Sequence, residues 1–297
     1  MTELKKLIDD FLLELYSVRQ YAQNTIQAYQ NDLYSFEYFM TVNKYDSVDC
    51  INEKIIRKFM VFLSLKKLST TSISRKLSSI RSFINFLMIR DIIKTNPMFS
   101  IENPKIKRHI PDVLPIDSFR EIIKFTNKKL ERDKLLKFRA IFELLYGSAI
   151  RLSELCSLDI GDIDFSRNVV SVHGKGAKQR IIPIGEISRP ILYEYYNWRK
   201  SLQTNEIALF LNSKGYRINA RFVQRLVSKY ISMVSDIKKK SPHVLRHSAA
   251  THMLDRGADL LTVKEILGHE NLSTTQIYTH VSIEHLKNSY KKAHPKS

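Results

Sequence analysis

Asn103-Pro104-Lys105-Ile106-Lys107-Arg108-His109-Ile110-Pro111 is the stretch on which the fold turns. Asn103-Pro104 and Ile110-Pro111 bound it, and Asn96-Pro97 precedes it; a proline pushes the residue before it into extended or turn backbone. Between the prolines Lys105-Ile106-Lys107-Arg108-His109 is basic with little apolar content, too little to bury a helix or strand face. Helical patterning lies on both sides. The stretch therefore predicts an inter-domain linker over 103–111, joining a domain at 1–102 to a second at 112–297. A chain of 297 residues is also long enough to prefer two cores over one. The charge of the linker suits either plain solvation or a path along a phosphate backbone.

On the N-terminal side, Leu4, Leu7, Ile8, Phe11, Leu12 and Leu15 recur at helical spacing. Asn24 followed by Gln27 has the form of a capping box, opening a second helix with Ile26, Tyr29, Leu33 and Phe36. Ile55, Ile56, Phe59, Phe62 and Leu63 predict a third. Ile73, Leu77, Ile80, Ile84 and Leu87 predict a fourth, with Arg75, Lys76, Arg81 and Arg90 on its other faces. These four make a small helical bundle with basic surfaces.

On the C-terminal side, helices are expected from Ile116 to Phe125 and from Lys134 to Tyr146. Asn168–His173 and Gln179–Ile184 have the β-branched content of strands, and Gly174-Lys175-Gly176-Ala177-Lys178 between them is a hairpin turn. The remainder returns to helix, without internal repeats or low-complexity tracts. The fold class is mainly α in two domains: an N-terminal helical bundle and a C-terminal mixed helical domain with a small antiparallel β-sheet.

Lys and Arg number 48 against 30 Asp and Glu, a net charge of +18. Such an excess repels itself in a compact fold and points to a polyanionic partner, nucleic acid before an anionic membrane. No apolar run approaches the ~20 residues of a membrane span, and Asp9, Asp10 and Glu14 interrupt any signal-peptide pattern. Cys50 and Cys156 stand far apart, as buried thiols of a reducing cytoplasm would, and form neither a disulfide framework nor a zinc motif.

Several segments could carry chemistry. Ser241 is placed to cap a helix that begins at Pro242 and ends before Gly257, which puts His243 and Arg246 one turn apart near its N-terminus. A helix N-terminus presents free N–H groups and partial positive charge, which suits a phosphate. The same residues could be no more than an exposed basic turn. A short helix is expected over Asp259–Leu267, with Leu260, Val263 and Ile266 inward. Gly268 closes it and His269 follows directly. Ser273-Thr274-Thr275-Gln276 is a further capping box, and Tyr278 sits in the first turns of the helix it opens, either packed in a core or free to face a site. Glu154, three residues after Arg151, could orient that guanidinium or form a surface ion pair worth little. Lys175 stands at a hairpin tip, without the Gly-rich signature of a nucleotide-binding loop. His243 and His247 are four apart, but Val244 breaks the His-Glu-x-x-His pattern, and no Asp/Glu cluster suggests a two-metal site.

Taken in order, Arg151-Leu152-Ser153-Glu154-Leu155, Gly174-Lys175-Gly176, His243-Val244-Leu245-Arg246-His247, Leu267-Gly268-His269 and Ser273-Thr274-Thr275-Gln276-Ile277-Tyr278-Thr279-His280 resemble the tyrosine recombinase (phage integrase) family, and within it the bacterial Xer group. The likeness extends over nearly the whole chain; Leu15 to Leu33, with Asn24-Thr25-Ile26 and Tyr29, is similar to the family's SAM-like core-binding domain. The resemblance implies a site-specific recombinase working through a 3′-phosphotyrosyl intermediate. It implies Tyr278 as nucleophile, Arg151 and Arg246 on the scissile phosphate, and His243 in proton transfer. Lys175 matches the lysine that protonates the leaving oxygen, with Lys178 a neighbouring rival. His269 matches the histidine or tryptophan that hydrogen-bonds the phosphate, and Glu154 the acidic residue supporting the first arginine. Ala149-Ile150 departs from the Gly-Leu common before that arginine, which puts the local turn in doubt.

No metal, ATP or other cofactor is implied. The implied partners are a double-stranded DNA recombination site held in a two-domain clamp, a homo- or hetero-tetramer on that DNA, a partner Xer recombinase and an FtsK-like translocase, all in the cytoplasm, with no membrane. The last helix, from Ile283, would exchange between protomers. Chromosome dimer resolution is the implied role. A mobile-element integrase, a DNA invertase, a type IB topoisomerase and a non-catalytic DNA-binding protein are the alternatives.

Overall fold

Thr2 opens the first helix: its hydroxyl accepts the N–H of Lys5 at 3.2 Å, and α1 runs Glu3–Ser17. α2 spans Gln23–Val42, α3 Glu53–Leu65 and α4 Thr70–Ile89. The computed structural model describes residues 2–45, 47–105, 112–174 and 179–268. By internal contacts the chain divides into two units, Met1–His109 and Ile110–Ser297. Most of the expected linker, residues 106–111, lies outside the described residues.

In the first unit the apolar stripes of α1–α4 meet as the spacing predicts. Phe11 lies 5.7 Å from Phe83 and 5.2 Å from Phe86 between ring centroids, and Phe36 and Phe59 pack edge-on at 5.1 Å. Asn52 and Ser69 cap α3 and α4 by accepting the N–H groups of Ile55 and Ser72.

Two expectations fail here. The Asn24/Gln27 capping box does not form. The Tyr21 N–H closes back on the Leu15 carbonyl at 2.9 Å, with Gln20 at φ +50°, so the chain has already turned and α2 starts at Gln23 behind Ala22, which has no capping side chain. Lys76 is buried rather than on an outer face of α4. The reason is Asp32, fully buried on α2, which accepts hydrogen bonds from Arg75 at 2.5 Å and Ser79 at 3.0 Å, with the Lys76 ammonium at 3.3 Å. A carboxylate out of water needs paired cations and donors.

The second unit is mixed. α5 (Ile116–Lys129) and α6 (Arg132–Phe142) lead into a π-helical turn, Glu143–Gly147, where one helix from Lys134 to Tyr146 was expected. α7 (Leu152–Ser157) precedes an antiparallel sheet in the order β1 (Ile163–Asp164), β2 (Val169–His173), β3 (Gln179–Pro183). β1 was not expected; with two residues it carries no period. β2 and β3 pair from Val169↔Pro183 to His173↔Gln179, so Val170, Val172 and Ile182 face the core. The hairpin tip, 175–178, lies outside the described residues.

α8 (Ser188–Ser201), α9 (Ala220–Ile231), α10 (Pro242–Asp255) and α11 (Leu260–Leu267) complete the described unit. α10 is the central helix, burying Val244, Leu245, Arg246, Ser248, Ala249, Ala250, His252 and Met253. Ser248 accepts the Leu114 N–H at 2.8 Å and so ties the entry of this unit to its middle.

Pro242 is the first residue of α10 as expected, but the Ser241 side chain makes no capping bond. On α11, Val263 and Ile266 are buried, whereas Leu260 is 69% exposed, a reversal of its expected inward place. As the first residue after the Asp259 cap it precedes the point where the helix reaches the core. Cys50 and Cys156 are free and half-buried, not fully buried, and burial pushes the Cys156 thiol up to about 11. Among the described residues no helix is long and apolar enough to cross a membrane.

Candidate active site

Glu154 is the centre of the site. It is the third residue of α7, and its Oε2 accepts the Arg151 backbone N–H at 2.7 Å, the return half of a capping box. Oε1 accepts the Arg151 guanidinium at 2.8 Å. The carboxylate is 3% exposed, so this is not the weak surface pair that spacing alone allowed.

A second guanidinium grips both oxygens. Arg180 of β3 donates Nη1 to Oε1 at 2.7 Å and Nη2 to Oε2 at 2.8 Å, a two-bond fork. Arg246 of α10 brings a third, 4.0 Å from Oε2. Burial favours the neutral acid at Glu154, but the hydrogen bonds from Arg180 and from the Arg151 backbone and side chain outweigh it and hold the pKa at about 2. Arg246 moves down to about 10, through burial first and then the Arg151 and Arg180 charges.

The same three arginines converge on the end of α11. Arg180 Nε donates to the Ile266 carbonyl at 3.3 Å, Arg246 Nη2 to the Leu267 carbonyl, and Arg151 Nη2 to the Gly268 carbonyl at 2.8 Å. These are the last carbonyls of the helix, the negative end of its dipole. Gly268 leaves the helix at φ +60°, and a Cβ there would stand 3.0 Å from Arg180 Cδ and Nε, so glycine is needed twice over.

Arg246 Nη1 also donates to the Ala149 carbonyl at 2.6 Å. Ala149 is fully buried at φ +49°, so the turn before Arg151 has the left-handed geometry of a glycine and carries alanine instead, a strain of about 1–2 kcal/mol.

The fold thus brings together Arg151, Glu154 and Arg246. His243 lies on the first turn of α10, exposed, one turn from the inward Arg246, with no hydrogen bond to the cluster among the described residues. Lys175, Lys178, His269 and Tyr278 lie outside the described residues, as does the capping box at 273–276. Arg151 uses Nη1 and Nη2, and Arg246 likewise, so of five N–H donors each keeps some over for an anion. Among the described residues no three His, Cys, Asp or Glu side chains converge as metal ligands.

Arg180 was missed in the sequence, although a signal existed. In Gln179-Arg180-Ile181-Ile182 it shares the inward parity of Ile182, and a charged residue at an inward strand position calls for a buried counter-charge.

The chain belongs to the phage integrase family. The phage integrase family model matches residues 112–285, and the model for the phage integrase N-terminal SAM-like domain matches 8–91. Its relatives narrow the class. It is 40% identical to tyrosine recombinase XerC of Thermodesulfovibrio yellowstonii, over all of this chain and 99% of the relative. It is 36% identical to tyrosine recombinase XerC of Bacillus subtilis, with the same coverage. Among solved structures, XerA recombinase is 27% identical with a TM-score of 0.50, over 96% of this chain and 97% of that one. A Tn1549 transposon integrase in complex with a circular intermediate DNA, at 21% identity, shares the fold with a TM-score of 0.72 over 98% and 95% of the two chains. The chain is an enzyme of the Xer-like tyrosine recombinase class, acting in site-specific recombination.

Proposed function

We propose that the chain cleaves and rejoins DNA at a specific double-stranded site by forming a 3′-phosphotyrosyl bond at Tyr278. The observation that carries this reading is the pairing of Arg151 and Arg246 around Glu154, at the end of the helix that leads directly into His269. A phosphodiester placed on those guanidiniums meets donors aimed at its non-bridging oxygens, where charge builds as a nucleophile attacks. Tyr278 supplies the nucleophile. A phenol is mostly protonated at neutral pH, with a pKa of about 10, and the surrounding cations favour the phenolate.

The Tyr278 oxygen bonds to phosphorus and the bond to the 5′-oxygen breaks. His243 takes part in the transfer of the phenolic proton, Lys175 protonates the leaving oxygen, and His269 donates to the phosphate. The reverse step, attack by a 5′-hydroxyl of another strand, restores the phosphodiester and frees the tyrosine. No bond energy is lost and no ATP is needed. Guanidiniums stand where a metal would otherwise neutralise charge, and no cofactor takes part.

Residues 1–102 form the core-binding domain and 112–297 the catalytic domain, joined by 103–111. The net charge of +18 supports phosphate-backbone binding by both. The enzyme works in the cytoplasm as a tetramer on DNA, with a partner Xer recombinase and an FtsK-like translocase, to resolve chromosome dimers. The XerC relatives matched over their full length support that role.

Arg246→Lys tests the chemistry. A single ammonium cannot hold both the Ala149 and Leu267 carbonyls and a phosphate, so covalent adduct on a nicked site falls by about 10²-fold or more while DNA binding persists; adduct at the wild-type rate contradicts the reading. Sequencing DNA crosslinked to the protein in its own cells tests the role. One chromosomal site is expected, and enrichment at mobile-element ends contradicts it.

A further inference from the structure

Arg151, Arg246 and Glu154 are the described residues that meet in the phosphate site proposed above, and the structure puts a third arginine beside them. Arg180 is 8% exposed, which leaves little of it for solvent. It supplies both bonds of the fork on Glu154, against the single side-chain bond from Arg151. Its Nε reaches the Ile266 carbonyl, and a Cβ added at Gly268 would meet its Cδ, Nε and Cζ at 3.0–3.1 Å. It is therefore joined to α7 and to the end of α11, and it sits on β3, five residues after Lys175 in the sequence.

Charge points the same way. Arg151 and Arg246 with Glu154 carry a formal +1; adding Arg180 makes it +2. A phosphodiester under attack by a phenolate gathers two negative charges, so added positive charge at the base of the site favours the reacting state over the resting one.

We infer that Arg180 is a positioning residue for strand cleavage: its fork on Glu154 and its contact with Gly268 hold Arg151 and the end of α11 in one geometry, and its charge adds to the field at the phosphate. The inference rests on the proposal that Arg151 and Arg246 hold the scissile phosphate. It adds a residue that acts through others and does not itself touch DNA.

The experiment uses the full chain and two nicked sites, one with an ordinary scissile phosphate and one with a methylphosphonate, in which a neutral methyl replaces one charged oxygen. Arg180→Ala, Arg180→Lys and Arg151→Ala are compared with wild type for single-turnover adduct formation and for DNA affinity. On the ordinary site Arg180→Ala is expected to form adduct about 10²-fold more slowly, the size of effect a 1 Å misplacement produces, with affinity within about threefold of wild type. Arg180→Lys keeps the charge but not the fork and recovers only part of the rate.

On the methylphosphonate the penalty of Arg180→Ala shrinks to about tenfold or less, because less charge needs compensating. A purely structural defect lowers the active fraction equally on both sites, so equal penalties overturn the inference, as do Arg180 variants that cleave like wild type while Arg151→Ala does not. If Arg180→Ala does not fold, the same comparison of penalties is made with Arg180→Lys. Undiminished cleavage by Arg151→Ala sinks the underlying phosphate-site reading instead.

Discussion

Glu154 holds a negative charge where burial opposes it, and the arginines around it decide the outcome. Its folded pKa of about 2 lies below the ordinary 4.5, so as pH falls the unfolded chain takes up the proton first. The stabilisation is complete above about pH 4.5, is lost as pH drops through about 2, and amounts to on the order of 3 kcal/mol. Glu154→Gln is therefore expected to unfold at lower urea than wild type at pH 7, with the gap closing between those two pH values; a gap independent of pH would show that the charge is not what matters. At this scale the sequence was informative about residue types and silent about surroundings. The spacing of Arg151 and Glu154 was visible, but their burial was not, because burial comes from β3 and α11, far away in the chain. The same blindness placed Lys76 in solvent, since nothing near it in sequence announces Asp32.

The elements that carry the site are held at their ends. α7 begins on the Arg151–Glu154 capping pair, and α11 ends on Gly268 with its last carbonyls taken by arginines. Between α6 and α7 the π-turn Glu143–Gly147 redirects the chain so that Ala149 and Arg151 reach the cluster. Its last residue is pinned: a Cβ on Gly147 would lie 2.8 Å from Ser188 Oγ and 3.3 Å from Glu143 Oε2, and those two atoms are themselves bonded at 2.6 Å. Gly147→Ala must part them or shift the turn, a cost of about 1–3 kcal/mol in a packed interior, read from the urea midpoint. A variant as stable as wild type would show that the turn yields freely. Most helices here were legible from apolar spacing, because each stripe faces the core of its own unit. The π-turn was not, since five residues with one extra backbone step leave no mark on a helical period. The start of α2 was misread for a related reason: the preceding turn, rather than the Asn24 side chain, sets where the helix begins.

At the scale of the molecule, the chain is a basic protein in which the arginine–glutamate cluster is built from the start of α7, β3, α10 and the end of α11, all in the second unit. The first unit has an organised charge of its own, the buried Asp32 paired with Arg75 and Lys76. Order along the sequence was enough to indicate the family, because a resemblance spread over five separate motifs rarely arises from one local accident. It could not indicate which groups touch, and Arg180 stayed unseen for that reason. The proposed mechanism requires a transient bond between protein and DNA, and that bond can be weighed. Wild-type protein is trapped on a nicked recombination site, digested, and its nucleotide-bearing peptide identified by mass spectrometry, with Tyr278→Phe alongside. A 3′-linked nucleotide is expected on the peptide containing Tyr278 and none from Tyr278→Phe, which still binds the site; a nucleotide on another residue, or equal adduct from both proteins, contradicts the mechanism.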